Sequence, residues 1–227
     1  MKKIITSTFL LANLFSFAQQ SIVSQNTPVS SNQGIYYTLQ SASGKTLSYD
    51  DILGTPYPDK NFVKSKISGT SDQQTLVRYN SYNDEIEFKK DDKVLALPKS
   101  QEYGRIEIAS PKQTLVLLDT SDELSGYFYE LANGKNTLYK KVKTRFIDFV
   151  PAPNGYASDK PATFKTLDPV YYIKTEKGFI KKPKNQKEII EQFSDKKEPL
   201  TTFFKSNKIK FDKDEDLIKL VTFLNQN

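Results

Sequence analysis

The chain has 227 residues, 33 Lys+Arg against 27 Asp+Glu, and no histidine, cysteine or tryptophan. That length carries one sizeable domain, or one domain with a small subdomain. Without His and Cys, the chain is excluded from Ser-His-Asp and Cys-His catalysis, from zinc sites built on those ligands, from disulfides and from histidine pH switching. What remains is carboxylate, lysine and tyrosine chemistry and oxygen-ligand metals.

The chain opens with Met1, Lys2 and Lys3, followed by an apolar stretch from Ile4 to Phe17 and small residues at Ser16 and Ala18. A basic start, a short apolar core and a small-residue cut predict a secretory signal peptide over residues 1–18, cleaved between Ala18 and Gln19. Thr6, Ser7, Thr8 and Asn13 interrupt the run, which is too short for a good membrane span. No later segment reaches the roughly 20 apolar residues a membrane helix needs. The expected product is exported, periplasmic or secreted, with no integral membrane segment after signal removal. It also has no cysteine to carry a bacterial lipid anchor.

Residues 1–18 hold two lysines and no acid, so 31 bases face 27 acids in the remainder. Arg78, Arg105 and Arg145 are the only arginines, and arginine forks do most base and phosphate reading. The lysines are interspersed with acids, which reads as a solvated surface rather than a nucleic-acid footprint.

Residues 19–34, rich in Ser, Gln and Asn, read as a flexible leader. Residues 35–182 read as a β-rich body. Glu85-Ile86-Glu87-Phe88-Lys89 and Arg105-Ile106-Glu107-Ile108 alternate polar and apolar residues, the signature of a strand with one face inward. Further strands are expected at Thr75–Tyr79, Lys93–Leu97, Thr114–Leu118, Tyr127–Leu131, Thr137–Val142, Arg145–Val150, Thr163–Leu167 and Val170–Thr175. Lys90-Asp91-Asp92, Ala132-Asn133-Gly134-Lys135 and Glu176-Lys177-Gly178 have hairpin-tip composition. Many short strands argue for an antiparallel meander, sandwich or barrel-like sheet.

Residues 183–227 read as a helical C-terminal subdomain. Asn185 with Glu188 three residues on forms a capping-box pattern before Ile189, Ile190 and Phe193. Glu198-Pro199 opens a second helix, with Leu200, Phe203 and Phe204 inward. Asp212 opens a third, whose Leu217, Leu220, Val221 and Leu224 make one apolar stripe. Three short amphipathic helices need a partner, so they are expected to pack on the body. The fold class is therefore α+β, an antiparallel β-rich body with a C-terminal three-helix subdomain.

The densest chemistry lies in Arg78-Tyr79-Asn80-Ser81-Tyr82-Asn83-Asp84-Glu85-Ile86-Glu87. Asn80, Asn83 and Asp84 are turn formers, which predicts strand, turn and strand. Arg78 could pair with Glu85 or Glu87 across the strands, with Tyr79 and Tyr82 covering the corner. Three roles are open to this corner: a structural one, a ligand-binding one using Arg78, Tyr79, Asn80, Tyr82, Asn83, Asp84, Glu85 and Glu87, and a carboxylate acid–base pair of glycosidase type. The phrase RYNSYNDEIE, preceded by GTPYPDKNF at Gly54–Phe62, resembles an uncharacterised family of exported proteins from Bacteroidota-type bacteria. The resemblance covers most of residues 50–227, implies export and this architecture, and implies no catalytic residue.

Two other spacings carry less. Asp212-x-Asp214-x-Asp216 starts like a calcium loop but has Leu217 where Gly is needed and Phe223 where Glu is needed. Ser194-x-x-Lys197 has an acyl-enzyme spacing without its companion motifs. No metal site and no cofactor is expected. Thirteen tyrosines and fifteen phenylalanines are mostly core material, with an exposed tyrosine strip for sugar or peptide stacking as the alternative. The leading functional expectation is a non-catalytic binding or structural module of the envelope, whose partner is an envelope protein, a glycan or a small molecule. The alternatives are a carboxylate-based glycan hydrolase and a small-molecule-binding β-barrel.

Overall fold

The computed structural model describes residues 26–31, 34–71 and 74–226. The expected signal peptide over residues 1–18, its expected cleavage point at Ala18–Gln19 and the first part of the expected leader lie outside those residues. The protein is α+β. Among the described residues, fifteen strands precede three α-helices: β1 (Asn26–Ser31), β2 (Gly34–Gln40), β3 (Thr46–Ser48), β4 (Val63–Ile67), β5 (Thr75–Asn80), β6 (Glu85–Lys90), β7 (Lys93–Ala96), β8 (Arg105–Ile108), β9 (Gln113–Leu118), β10 (Gly126–Ala132), β11 (Thr137–Lys141), β12 (Thr144–Ile147), β13 (Thr163–Thr166), β14 (Val170–Thr175), β15 (Gly178–Lys181), α1 (Gln186–Gln192), α2 (Lys197–Ser206) and α3 (Asp214–Gln226).

Twelve strands follow one another in a single sheet, in the order β1-β2-β7-β6-β5-β4-β8-β9-β10-β11-β14-β15, with β3 attached to β2; β12 and β13 form a separate ribbon. Every pairing is antiparallel except β2 with β7, which meet at Gly34 and Val94. Gly34 has φ +113°, and a Cβ there would lie 2.6 Å from the Val94 carbonyl oxygen, so the seam requires glycine.

The sequence places residues 19–34 in a flexible leader, yet Asn26–Ser31 runs antiparallel to β2, from Asn26 opposite Leu39 to Ser31 opposite Gly34. A polar segment can join a sheet through its backbone alone. Pro28 is tolerated because β1 is an edge strand. β4 also escapes the alternation pattern, because its buried positions include Ser65, whose hydroxyl donates to the Val63 carbonyl. β12 ends at Ile147, short of the Val150 expected from sequence. There the Asp148 carboxylate accepts from Ser41 Oγ, Ala42 N–H and Phe149 N–H, which turns the chain out of the ladder.

The hairpin tips are where turn chemistry puts them. Asp91 and Asp92 both have positive φ, 50° and 62°, between the paired Lys90 and Lys93. Two left-handed central residues are what a two-residue hairpin turn demands. The β10–β11 turn is wider than its Asn133-Gly134 suggests, with a register shift between Glu130 and Ala132. Its conformation is set from outside: the Asn225 side chain of α3 exchanges hydrogen bonds with the Asn136 backbone at 2.7 and 2.9 Å.

Side chains alternate between clusters. Along β10, Tyr127 and Tyr129 face a core with Ile67, Val77, Ile86, Ile106 and Leu115, while Phe128 faces the other way, onto Val116, Leu124, Tyr139 and Tyr172. Along β14, Tyr171 and Ile173 face the helices and Tyr172 joins Phe128. Leu200 of α2 and Leu217, Leu220, Val221 and Leu224 of α3 pack there on Leu138, Ile173 and Ile180. Asn185 caps α1 by accepting from the Glu188 N–H, while the Glu188 carboxylate reaches Lys184 N–H rather than closing the box. α3 begins at Asp214, two residues beyond the expected start. Among the described residues, no helix is long and apolar enough to cross a membrane.

Candidate functional site

The β5–β6 corner is built by Asn80. Its Oδ1 accepts the N–H groups of Tyr82 and Asn83, both at 3.1 Å, which folds the chain back on itself. Asp84 closes the turn at φ +57°, a left-handed position that Asp tolerates. Ser81 fastens the corner to its surroundings: its hydroxyl reaches the Pro56 carbonyl at 2.8 Å and the Thr144 hydroxyl at 2.7 Å.

Arg78 and Glu87 are directly opposite in the β5–β6 register. The guanidinium approaches one carboxylate oxygen, Oε2, through Nη2 at 2.5 Å and Nε at 3.2 Å. The other oxygen, Oε1, accepts from Asn80 Nδ2 at 3.0 Å and from the Tyr57 hydroxyl at 3.1 Å. Glu87 is 1% exposed. Arg78 lies between two rings, 3.7 Å from the Tyr57 centroid and 4.4 Å from that of Phe62, and donates to the Lys60 carbonyl. The two phrases GTPYPDKNF and RYNSYNDEIE thus meet at one arginine.

Asp84 belongs to a second constellation on the other side of the corner. Its Oδ1 accepts from Lys141 Nζ at 2.6 Å and from the Tyr79 hydroxyl at 2.8 Å; the Tyr127 N–H and Lys99 Nζ complete its shell. Lys141 is 2% exposed and also donates to the Tyr127 carbonyl. Burial lowers the Lys141 ammonium pKa, and the Asp84 charge opposes that shift. Burial, reinforced by Asp84, pushes the Tyr79 hydroxyl well up.

Glu85 stands apart from both. It accepts from the Tyr37 hydroxyl of β2 at 2.6 Å and from Asn83 Nδ2 at 3.4 Å. Tyr82 donates its backbone N–H to Asn80, and its ring packs among Tyr49 and Phe164. The eight residues singled out from sequence therefore divide between an Arg78–Glu87 pair with Asn80, an Asp84–Lys141 pair with Tyr79, a Glu85–Tyr37 contact with Asn83, and an aromatic cluster holding Tyr82. The signals for Tyr57 and Phe62 were present in GTPYPDKNF but unassigned. Lys141 had only its position two residues from the apolar Tyr139, on the same strand face.

Chemically, Glu87 with four donors around its two oxygens is held as an acceptor. A general acid needs a protonated carboxyl free to reach a leaving group. Asp84 is likewise neutralised by two ammonium groups.

The remaining motifs are dispersed. Asp214 pairs with Lys140 at 2.7 Å and accepts from Tyr171 at 2.5 Å, Asp216 accepts from Lys210 N–H, and Asp212 lies against Lys213. Of the acyl-enzyme spacing, Ser194 opens a short 3-10 turn, Ser194–Lys196, and Lys197 is the first residue of α2. Of the tyrosines, Tyr36 and Tyr156 are largely exposed, and they sit on different elements. Compared with protein-family models, curated proteins and solved structures, the chain gives no match.

Proposed function

We propose that the chain is an exported, non-catalytic module of the cell envelope, periplasmic or secreted, which acts by binding or as a structural partner. The observation that carries this reading is the saturation of Glu87 by Arg78, Asn80 and Tyr57, beside an Asp84 committed to Lys141. Two of the three acids of the corner, Glu87 and Asp84, commit both oxygens to the fold, and the third, Glu85, accepts from Tyr37 and Asn83 through Oε2. Export rests on Lys2-Lys3, the apolar run and Ser16-Phe17-Ala18. Membership of the Bacteroidota-type exported family belongs to the same proposal, and the stacking of Tyr57 and Phe62 on Arg78 gives its two phrases a physical reason to occur together.

The test is an assay of purified chain on envelope glycans, run beside Glu85→Gln and Glu87→Gln. No turnover is expected from any of the three. Turnover by the parent that either substitution abolishes would install a carboxylate hydrolase instead. For export, protein isolated from the native envelope or medium should begin at Gln19 or within a residue or two, and intact Met1 would overturn that part.

A further inference from the structure

The β12–β13 ribbon has one buried face and one bare one. Phe146 lies opposite Phe164 in its register, and both rings pack inward, with Ala162, against Leu39, Leu47 and Ile52. Alternation therefore turns Arg145 and Ile147 of β12, and Thr163 and Lys165 of β13, outward. Leu53 joins that face, because it bridges to Thr163 while its neighbour Ile52 points into the core. Pairing resumes beyond Asp148, where Val150 and Lys160 exchange backbone hydrogen bonds at 2.9 and 2.8 Å. From Pro151 to Lys160 every residue but Ala152 is exposed, so the ribbon ends in a tip that stands in solvent.

Leu53, Phe149, Val150 and Tyr156 are four of the six large apolar side chains exposed among the described residues, and all four lie on this ribbon or pair with it. Clusters of exposed apolar side chains mark contact with another protein or with a membrane. The charges decide between the two. Arg145 is directly opposite Lys165 in the ladder, where like charges repel, and neither forms an ion pair among the described residues. The two acids between them in the chain are already bonded: Asp148 accepts from Ser41, Ala42 and Phe149, and Asp159 accepts from the Ala152 N–H. The ribbon is therefore apolar at its tip with uncompensated cations behind, since Arg145 precedes Phe149 by four residues, at most about 13 Å along the strand. A bilayer presents the matching order, hydrocarbon inside and charged headgroups outside. Pro151 and Pro153 restrict the tip, so less freedom is lost on docking.

We propose that this ribbon tip docks the protein on an anionic lipid surface, with Phe149, Val150 and Tyr156 entering the headgroup layer and Arg145 and Lys165 meeting the lipid charges. The inference rests on the binding-module reading and names its partner. Flotation of the purified full chain with vesicles tests it, using phosphatidylcholine alone and an equimolar mixture with phosphatidylglycerol. The chain should float with the anionic vesicles and far less with the neutral ones, and salt should release it. Arg145→Gln with Lys165→Gln should weaken anionic-vesicle binding by roughly thirtyfold, with no loss of stability because a repulsion is removed as well. Lys90→Gln with Lys93→Gln removes the same charge from the opposed pair at the β6–β7 hairpin and should weaken binding much less. All variants share one N-terminus, so residues 1–18 contribute equally to each. The chain has no tryptophan, so Phe149→Trp places a single indole at the tip, and its emission should shift to the blue when anionic vesicles are added. Should Phe149→Trp unfold, the two charge pairs still decide. No binding to anionic vesicles, equal losses from the two charge pairs, or an unshifted emission would overturn the proposal. Unshifted emission with binding that dextran sulfate abolishes would assign the face to an anionic glycan instead. None of these would touch the non-catalytic reading, which falls only on glycan turnover.

Discussion

Gly126 and Asp84 are fitted to each other: a Cβ on Gly126 would overlap the Asp84 carboxylate, lying 2.8 Å from its Cγ and 3.0 Å from Lys141 Nζ. Gly126 also has φ +139°, a region L side chains rarely adopt. The β5–β6 corner can therefore reach the buried Lys141 only where β10 carries no side chain. Gly126→Ala should cost about 1–3 kcal/mol, as strained backbone positions do, with the clash adding to it. Urea unfolding measures this; an unchanged midpoint would mean the corner shifts freely.

Replacing Asp84 should cost more than the loss of a turn residue. Asp84→Ala strands the Lys141 ammonium, 2% exposed, without its carboxylate. Breaking a buried pair from one side costs about 3–5 kcal/mol. Asp84→Ala with Lys141→Met should recover much of that loss, because the uncompensated charge is gone. Should the double variant be no more stable than the single one, the pair is not what the corner contributes.

Arg78→Lys is the informative change at the other constellation. A lysine keeps the charge but loses both the two-nitrogen approach to Glu87 and the flat face between Tyr57 and Phe62. Arg78→Ala should destabilise by about 3–5 kcal/mol, leaving Glu87 buried and underpaired, and Arg78→Lys should fall between it and the parent. Equal stability of all three would move the corner from structural support to ligand binding.

Most of the β strands were legible because alternation needs only neighbours: Glu85-Ile86-Glu87 marks a strand and puts Ile86 inward, but it gives no sign that Glu87, on the opposite face, is 1% exposed as well. The α3 stripe was legible for the same reason, and Leu217, Leu220, Val221 and Leu224 are each at most 1% exposed. What pairs with what was not legible. Glu87 takes its hydroxyl from Tyr57, 30 residues upstream, and Asp84 takes its ammonium from Lys141, 57 residues downstream. In a chain so rich in lysine, no local pattern separates the buried ammonium from the solvated ones. β1 was invisible for the opposite reason, as its pairing rests on backbone groups that every residue carries.

The helices are predicted to be part of the fold rather than an appendage. Truncation after Lys184 would bare Leu138, Tyr171, Ile173 and Ile180 and remove the Asn225 clamp on the β10–β11 turn. Aggregation or a large loss of stability is expected. A milder probe is Leu220→Ala, fully buried in that cluster, which should cost about 2–5 kcal/mol. A truncated chain that melts cooperatively at the parent temperature would show two independent units.

Stability should collapse in alkali, and tyrosine is the reason. Tyr37, Tyr57, Tyr79, Tyr127, Tyr129, Tyr139, Tyr171 and Tyr172 all have hydroxyl pKa values raised above 10.0, in each case first by burial; Tyr127 and Tyr129 reach about 12. Above pH 10 the unfolded chain loses these protons and the folded chain keeps them, so the folded state binds more protons and stability falls as pH rises. The contribution is complete below pH 10, and for Tyr127 and Tyr129 it is lost by about pH 12. Lys141 acts in the opposite direction: its lowered value means the folded state gives up a proton first, which favours folding as pH approaches 10.5. Eight groups outweigh one, so the net slope is downward. At the acid end Asp122 is the counterpart. Burial raises its pKa, but hydrogen bonds from Tyr172, Thr120 and Lys181 together outweigh burial and hold it low, so its contribution is lost as pH falls below 3.8. Near-ultraviolet tyrosinate absorbance, followed together with far-ultraviolet circular dichroism from pH 8 upward, checks the alkaline half. Ionisation should be delayed and then cooperative with unfolding; smooth titration of all thirteen tyrosines near pH 10, with the fold intact, would overturn it.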